Sequence, residues 1–385
     1  MVKVKLREED IQLGVPIAWN IYNARGGVML KKGLRIHSPD RLEQLLRFEL
    51  YRDPEEPADA AAQPGVLEKP ARELEQHCKH PFDTVSNIAS TLESSFQSLL
   101  VCSADSYVPI TRLASAIREL TSESPDCCLA AVHLYYPHKY SLMQPVYSSI
   151  MCALTAQVLG YDRQKTESLC AAALTSNLGM YKFQDELNCQ TTPLSEEQRV
   201  KISQHPQRSV QMLQASGLDD KEWLEMVLQH HERDDCSGYP FGINNQVIHP
   251  GAKIISLADS YLAMIYDRPY RGPVHPKIAL KEIYKLANPD DQTSFLAFIK
   301  TLGVFPPGTY VKLENGEIAV VTAHSEKDSL KCRVISIYDR NEQPLKIPVL
   351  RNTAAAGCAI CNIYEFEKKP NLDIRKLFSA KTAAA

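Results

Sequence analysis

The sequence predicts a mainly α protein, with a small mixed α/β module ahead of the helical part and a small β module behind it. Three observations carry that prediction. Residues 73–303 are dominated by apolar side chains recurring at helical spacing. Residues 1–53 and 304–368 instead contain short runs that alternate apolar and polar side chains, as half-buried strands do. Between the first two blocks runs PEEPADAAAQPGVLEKP, rich in proline and alanine and poor in large apolar side chains, so residues 54–72 read as a linker.

In the first block, Ile17, Trp19 and Ile21 alternate with less apolar neighbours, Gly26-Gly27 offers a turn, and Val28 and Leu30 begin a second strand. Ser38-Pro39 reads as an N-cap with proline at the first helical position, opening a helix that buries Leu42, Leu45 and Leu46. In the last block, Pro306-Pro307-Gly308 interrupts the helical pattern. Val311 and Leu313 are then expected to pair with Ile318 and Val320 across Asn315-Gly316, the strongest short-range hairpin signal. Cys332 and Val334 continue the alternation, and residues 369–385 read as a tail with a frayed KTAAA end.

At 385 residues the chain is long enough for two or three cores. A net charge of -3 gives no general attraction to nucleic acid or to an anionic membrane. The start, MVKVKLREEDIQLG, lacks the apolar core of a signal peptide. No run of about 18 uncharged apolar residues occurs. The expectation is a cytoplasmic protein without a DNA or RNA partner and without membrane insertion. Its 11 cysteines are scattered and read as reduced thiols. Cys358 and Cys361 have CxxC spacing, but with no second pair the spacing reads as coincidence.

The chemistry lies in the helical block. In WLEMVLQHHERDDCSGYP, residues Trp223, Met226, Val227, His230 and His231 fall on one apolar helical stripe. Each imidazole needs a polar partner once buried. Neighbouring helical side chains diverge by roughly 100°, so both could serve one metal only if it sat between them. In KIISLADSYLAMIYDRPYR, residues Ile255, Ala258, Asp259, Leu262 and Tyr266 share a face, which puts a carboxylate on an apolar stripe. Such a carboxylate must be paired, strongly hydrogen-bonded or bound to metal. In LSEEQRVKISQHPQRS, Ser195 and Gln198 fit a capping box, and Ile202 and His205 lie three apart on one face. Three histidines and one aspartate facing a helical core suit a metal site.

HHERDDCSGYP resembles the HHE-x-x-D-G-x-GYP signature of the HD-GYP family, with Cys236 in place of a glycine. The order and spacing of the QHP and ADSYLAMIYDRPYR segments fit as well, and the resemblance spans about 130–300. It implies an all-helical HD bundle that holds two or three metals, commonly iron or manganese. It also implies hydrolysis of cyclic di-GMP, in which a metal-bridging hydroxide attacks phosphorus while the cations neutralise the developing charge.

The family's HDIGK stretch corresponds here to SNLGM. Ser176 stands at the histidine, Asn177 at the metal-bridging aspartate and Met180 at the phosphate-assisting lysine, while Gln144 occupies the place of a further ligand histidine. By this resemblance one metal would use positions 144, 176, 177 and 259, of which Asp259 alone keeps its ligand. The other would use position 177 with His205, His230 and His231, all retained. The expectation is a degenerate, inactive member with a three-histidine half-site. That half-site holds one divalent cation (iron, manganese or zinc), or else its rings persist as packing around an empty site. Gly238, Tyr239 and Pro240 keep the GYP motif. Arg268 and Arg271 match basic positions that contact the dinucleotide in some members, or else are surface arginines at a helix end. The implied partners are cyclic di-GMP or a related dinucleotide, or a GGDEF-domain cyclase. The alternative is residual phosphodiesterase activity from a mononuclear site.

Overall fold

In the computed structural model, the described residues are 4–6, 17, 20–23, 28–30, 50–52, 80–243, 247–267, 272–285, 292–324, 331–366 and 370–379. The chain divides into two compact units, residues 1–78 and 79–385.

In the first unit, β1 (Val4–Lys5), β2 (Ile21–Asn23), β3 (Val28–Leu30) and β4 (Leu50–Arg52) form a sheet in the order β1-β4-β2-β3. The expected hairpin is there, with Ile21 opposite Leu30 and Tyr22 opposite Val28. Ile17 is buried just ahead of β2, and Ile21 and Leu50 are buried within the sheet. Strand β4 has no counterpart in the sequence reading, because three residues are too few to show a period. Trp19, Gly26-Gly27, the helix expected after Ser38 and the 54–72 linker lie outside the described residues.

The second unit is mainly helical. Its longer described helices are α1 (Pro81–Leu100), α2 (Val108–Glu123), α3 (Pro125–Leu134), α4 (Tyr140–Leu159), α5 (Arg163–Thr175), α6 (Tyr181–Cys189), α7 (Glu196–Ser203), α8 (His205–Ala215), α9 (Lys221–Gln229), α10 (Pro250–Ile265), α11 (Pro276–Tyr284) and α12 (Thr293–Leu302). A 3₁₀ turn, Leu178–Met180, joins α5 to α6. Helix α4 is buried around its whole circumference from Tyr140 to Ala156, and α2, α5, α10 and α12 pack on it. A helix apolar on every side belongs at a core. By length and hydropathy α4 could cross a membrane, which corrects the expectation that no such run occurs, but most of its surface is inside this bundle.

Strands β5 (Tyr310–Leu313), β6 (Ile318–His324), β7 (Cys332–Tyr338), β8 (Pro344–Asn352) and β9 (Ile360–Ile363) form an antiparallel sheet in the order β8-β7-β6-β5-β9. The predicted hairpin forms across Asn315-Gly316, with Gly316 at φ +86°, but one residue out of the expected register: Val311 lies opposite Ala319, and Tyr310 and Lys312, not Val311 and Leu313, face Val320 and Ile318. One face buries Val311, Leu313, Val321 and Val334; the other buries Val320, Ile335 and Ile337 together with Leu377. The sheet is fastened to the bundle: the His324 backbone N–H donates to Asp126 on α3 at 3.3 Å. Residues 370–379 also pack back. Phe378 lies edge-on to Phe82 at 5.6 Å, and Arg375 pairs with Asp83 at 2.6 Å.

Candidate metal and ligand site

His205 opens α8, set in place by the helix before it. The Ser195 hydroxyl accepts from the Gln198 N–H, and the Gln198 side chain accepts from the Ser195 N–H, closing the predicted capping box at the start of α7. The 176–179 segment is pinned to α8 by Ser209, whose hydroxyl donates to the Ser176 carbonyl at 2.8 Å and accepts from the Gly179 N–H at 2.8 Å. A Cβ at Gly179 would lie 2.8 Å from the Ser209 nitrogen, so only glycine fits there.

His230 and His231 are not both on a helix. Helix α9 ends at Gln229, His230 is its C-cap residue, and His231 lies in the turn that follows. The expectation that both continue the helical stripe is therefore corrected. Ending the helix removes the divergence that regular geometry imposes on adjacent residues, and both rings meet His205. The ring centroids lie 5.1 Å (His205–His230), 5.0 Å (His205–His231) and 4.2 Å (His230–His231) apart. One ligand atom from each of the three rings lies within 4.8 Å of the others.

The hydrogen bonds fix the tautomers of two rings. His205 Nδ1 lies 2.6 Å from the Ile202 carbonyl and His230 Nδ1 lies 2.6 Å from the Val227 carbonyl. A carbonyl only accepts, so each Nδ1 carries the proton and each Nε2 offers a lone pair. The two Nε2 atoms are 3.1 Å apart. Two lone pairs at that distance repel unless a cation or a proton lies between them. Imidazoles oriented by backbone carbonyls are the usual second layer of a metal site, and this donor set fits one divalent cation.

Burial, reinforced by His230, pushes the His205 imidazole down to about 3. Burial pushes His230 down to about 4, and burial with both neighbouring rings and Arg233 holds His231 well below the ordinary value. The rings are neutral, as ligands must be. On acidification the unfolded chain takes up protons first, near pH 6.5. Stability is then complete above about pH 6.5 and is lost as pH falls towards the folded values. In chelator, denaturant unfolding is expected to show about 2–4 kcal/mol less stability at pH 5 than at pH 7. Equal stability at both would mean that the rings are not buried neutral.

At the positions where the family pattern places the other metal, the chain has tied its groups to one another. Asp259 Oδ1 accepts from the Gln144 side-chain amide and, at 3.2 Å, from Asn177 Nδ2. Asn177 Nδ2 also reaches Gln144 Oε1 at 3.0 Å. The Ser176 hydroxyl donates to the Ala173 carbonyl at 3.2 Å. Amide N–H groups therefore face the Asp259 oxygen that a cation would need, and this half does not fit a metal. Asn177 Oδ1 is buried with no hydrogen-bond partner.

The GYP loop folds over the cluster. Tyr239 stacks on His231 at 4.7 Å, and its N–H donates to the His231 carbonyl at 3.1 Å. Buried Glu232 accepts from the backbone N–H groups of Phe241 (2.7 Å) and Ile243 (3.1 Å), holding Gly238, Tyr239 and Pro240 in place. Cys236, at the family's glycine position, sits at φ +62°. That left-handed backbone is what a glycine serves there. A cleft of about 530 Å³ beside the cluster is lined by His231, Tyr239, Asp259, Met180, Gln184 and Asn188, among others. Arg268 and Arg271 lie outside the described residues. Gln184 and Asn188 had no signal in the sequence reading, since amides on a helix are ordinarily solvated.

Residues 127–291 match the family model described as the HD domain. The chain is 26% identical over 313 residues to the cyclic di-GMP phosphodiesterase PA4108 of Pseudomonas aeruginosa, covering 80% of this chain and 75% of that one. Residues 127–291 form an HD domain. The chain is also 25% identical to the cyclic di-GMP phosphodiesterase PdeB of Borreliella burgdorferi, over 59% of this chain and 62% of that protein. A Vibrio cholerae relative, 3'3'-cGAMP-specific phosphodiesterase 1, is 30% identical over 32% of this chain and 28% of its own length. The fold is shared with the solved structure of Bd1817, an HDG"Y"P protein from Bdellovibrio bacteriovorus. It has a TM-score of 0.51 and 19% identity, and covers 78% of this chain and 99% of that one.

Proposed function

We propose that this HD-domain chain binds a cyclic dinucleotide without hydrolysing it. Its role is then regulatory, either sensing cyclic di-GMP or docking a GGDEF-domain cyclase. The observation that carries this reading is the knot of Gln144, Asn177 and Asp259. Two-metal hydrolysis needs a charged bridge between cations, and a neutral amide donating to the one remaining carboxylate cannot supply it. Met180 cannot neutralise a phosphate as a lysine would.

The three-histidine cluster supports a second reading, residual phosphodiesterase activity from one bound metal with Asp259 as a further ligand. Bound there, a cation would supply Lewis acidity and a more acidic water. His205 and His230 would hold it through Nε2, His231 would complete the imidazole set, and Tyr239 would cover His231. Metal analysis of the purified chain, paired with cyclic di-GMP turnover, separates the two. The expected result is at most about one cation per chain, removed by His230→Ala, with no turnover. Turnover that disappears in His230→Ala would establish the second reading. The regulatory reading fails if the chain binds neither cyclic di-GMP nor a GGDEF-domain protein.

A further inference from the structure

We propose that a cavity between the helical bundle and the β5–β9 sheet binds an alkylated ammonium cation, carried by a small free solute. The cavity encloses about 300 Å³, at the small end of ligand pockets. It shares no described lining residue with the cleft beside the histidine cluster. Four half-buried aromatic side chains line it: Tyr136 after α3, Tyr310 on β5, and Tyr364 and Phe366 just beyond β9. Phe366 stands almost at right angles to Tyr310, at 5.0 Å and 85°, and is edge-on to Tyr364, at 4.8 Å and 71°. Rings set at right angles form a corner, so a guest meets a ring face from more than one direction. The face is the negative part of an aromatic ring, and it attracts a cation within about 6 Å.

The charges around the cavity have the matching sign. Exposed Glu365 is the one carboxylate among the described lining residues, and none of those is a lysine or arginine. His275 lies within the field of Glu365 but does not neutralise it. Its Nδ1 accepts from the Lys277 N–H at 3.1 Å, so that nitrogen carries no proton, and burial lowers the imidazole below its ordinary value. Helices α3 and α10 both end at the cavity, with Leu134 and Ile265 in its wall, and a helix C-terminus carries partial negative charge. Helix α11 starts there, but its positive end is already capped by the His275 ring. The Tyr136 hydroxyl donates to the Val132 carbonyl at 2.7 Å and the Tyr364 hydroxyl to Glu342 at 3.1 Å. What these walls offer a guest is therefore ring surface more than acceptors for N–H groups. An ammonium whose hydrogens are replaced by alkyl groups suits them, because it needs no acceptor and its methyl groups pack on the rings.

The test is ligand-observed NMR titration of the full chain with choline and with its uncharged isostere, in which a tert-butyl group replaces the trimethylammonium. Choline is expected to bind, and the isostere to bind at least about tenfold more weakly, the scale of a desolvated cation–π contact. Glu365→Gln and Phe366→Leu should each weaken choline about threefold or more, as loss of an exposed ion pair or of one ring does. Phe366 also packs on Tyr338, at 5.4 Å, so Phe366→Leu can disturb the sheet. Glu365 is exposed, and Glu365→Gln decides the matter without that risk. A trimethylammonium group can also arrive on a lipid. Choline binding without sedimentation on phosphatidylcholine vesicles supports a free solute, whereas sedimentation that choline competes away overturns it in favour of a headgroup. Equal binding of choline and the isostere, or choline affinity unchanged in Glu365→Gln, would mark an apolar slot and overturn the proposal. So would an absence of choline binding by wild type.

Discussion

Asn177→Asp should destabilise the metal-free protein by about 2–4 kcal/mol at pH 7.5, through loss of a donor and creation of a buried like-charge pair. In the native chain Asn177 Nδ2 donates to both Gln144 Oε1 and Asp259 Oδ1. A carboxylate at 177 has no hydrogen to give, so two acceptors and two negative charges would meet in a site where Gln144 and Asn177 are almost wholly buried. The strain is relieved by a proton shared between the carboxyls, which raises one of their pKa values in the folded state. The stability carried by that proton is present below the unfolded value near pH 4 and is lost as pH rises through the raised folded value. The penalty is therefore expected to be small at pH 4.5 and to grow towards neutrality. A divalent cation should also relieve it, since two carboxylates there form a ligand pair where the native chain has none. Guanidinium unfolding of both proteins at pH 4.5 and 7.5, in chelator and in manganese, reads all three effects. Equal stability in chelator at pH 7.5 would mean that the amide network is not holding this site together.

What the sequence made legible was what is local. The Asn315-Gly316 hairpin and the Ser195–Gln198 capping box each declare themselves within a few residues; the box formed as expected, and the turn formed where expected with its strands one residue out of the expected register. The long apolar runs located the bundle because helical periodicity accumulates over many turns. The histidine cluster was expected in its membership but not in its arrangement. That three histidines gather was implied by the family resemblance; that α9 stops at Gln229 to let His230 and His231 converge was not readable, since nothing in LQHHERDD is a strong helix terminator. The network of Gln144, Asn177 and Asp259 joins residues 33, 82 and 115 positions apart, so no local pattern could announce it. Each of the first two substitutions, read alone, is only a lost ligand. Together they form a replacement structure that satisfies the remaining carboxylate.

That distinction sets what should happen when the lost groups are restored. The combined variant Gln144→His, Ser176→His, Asn177→Asp and Met180→Lys is expected to raise cyclic di-GMP hydrolysis by about 100-fold or more over wild type, the scale of a restored charge-stabilising group. Its metal content should rise from at most one cation per chain to two. The physical basis is cooperative. Position 177 is useful as a bridge only when imidazoles at 144 and 176 complete the second site, and Asp259 is free to act as a ligand only when Gln144 no longer donates to it. Single substitutions should accordingly gain nothing, and Asn177→Asp alone should lose stability. Omitting Met180→Lys should preserve metal content while forfeiting much of the turnover, because Met180 lines the cleft and no lysine or arginine lies among its described lining residues. Retained helicity and cooperative melting confirm that the variant has folded around the bulkier side chain at buried Ser176. A folded variant that holds two cations yet does not turn over would place the defect in the cleft that receives substrate, and would contradict the proposal that activity was lost at the metals.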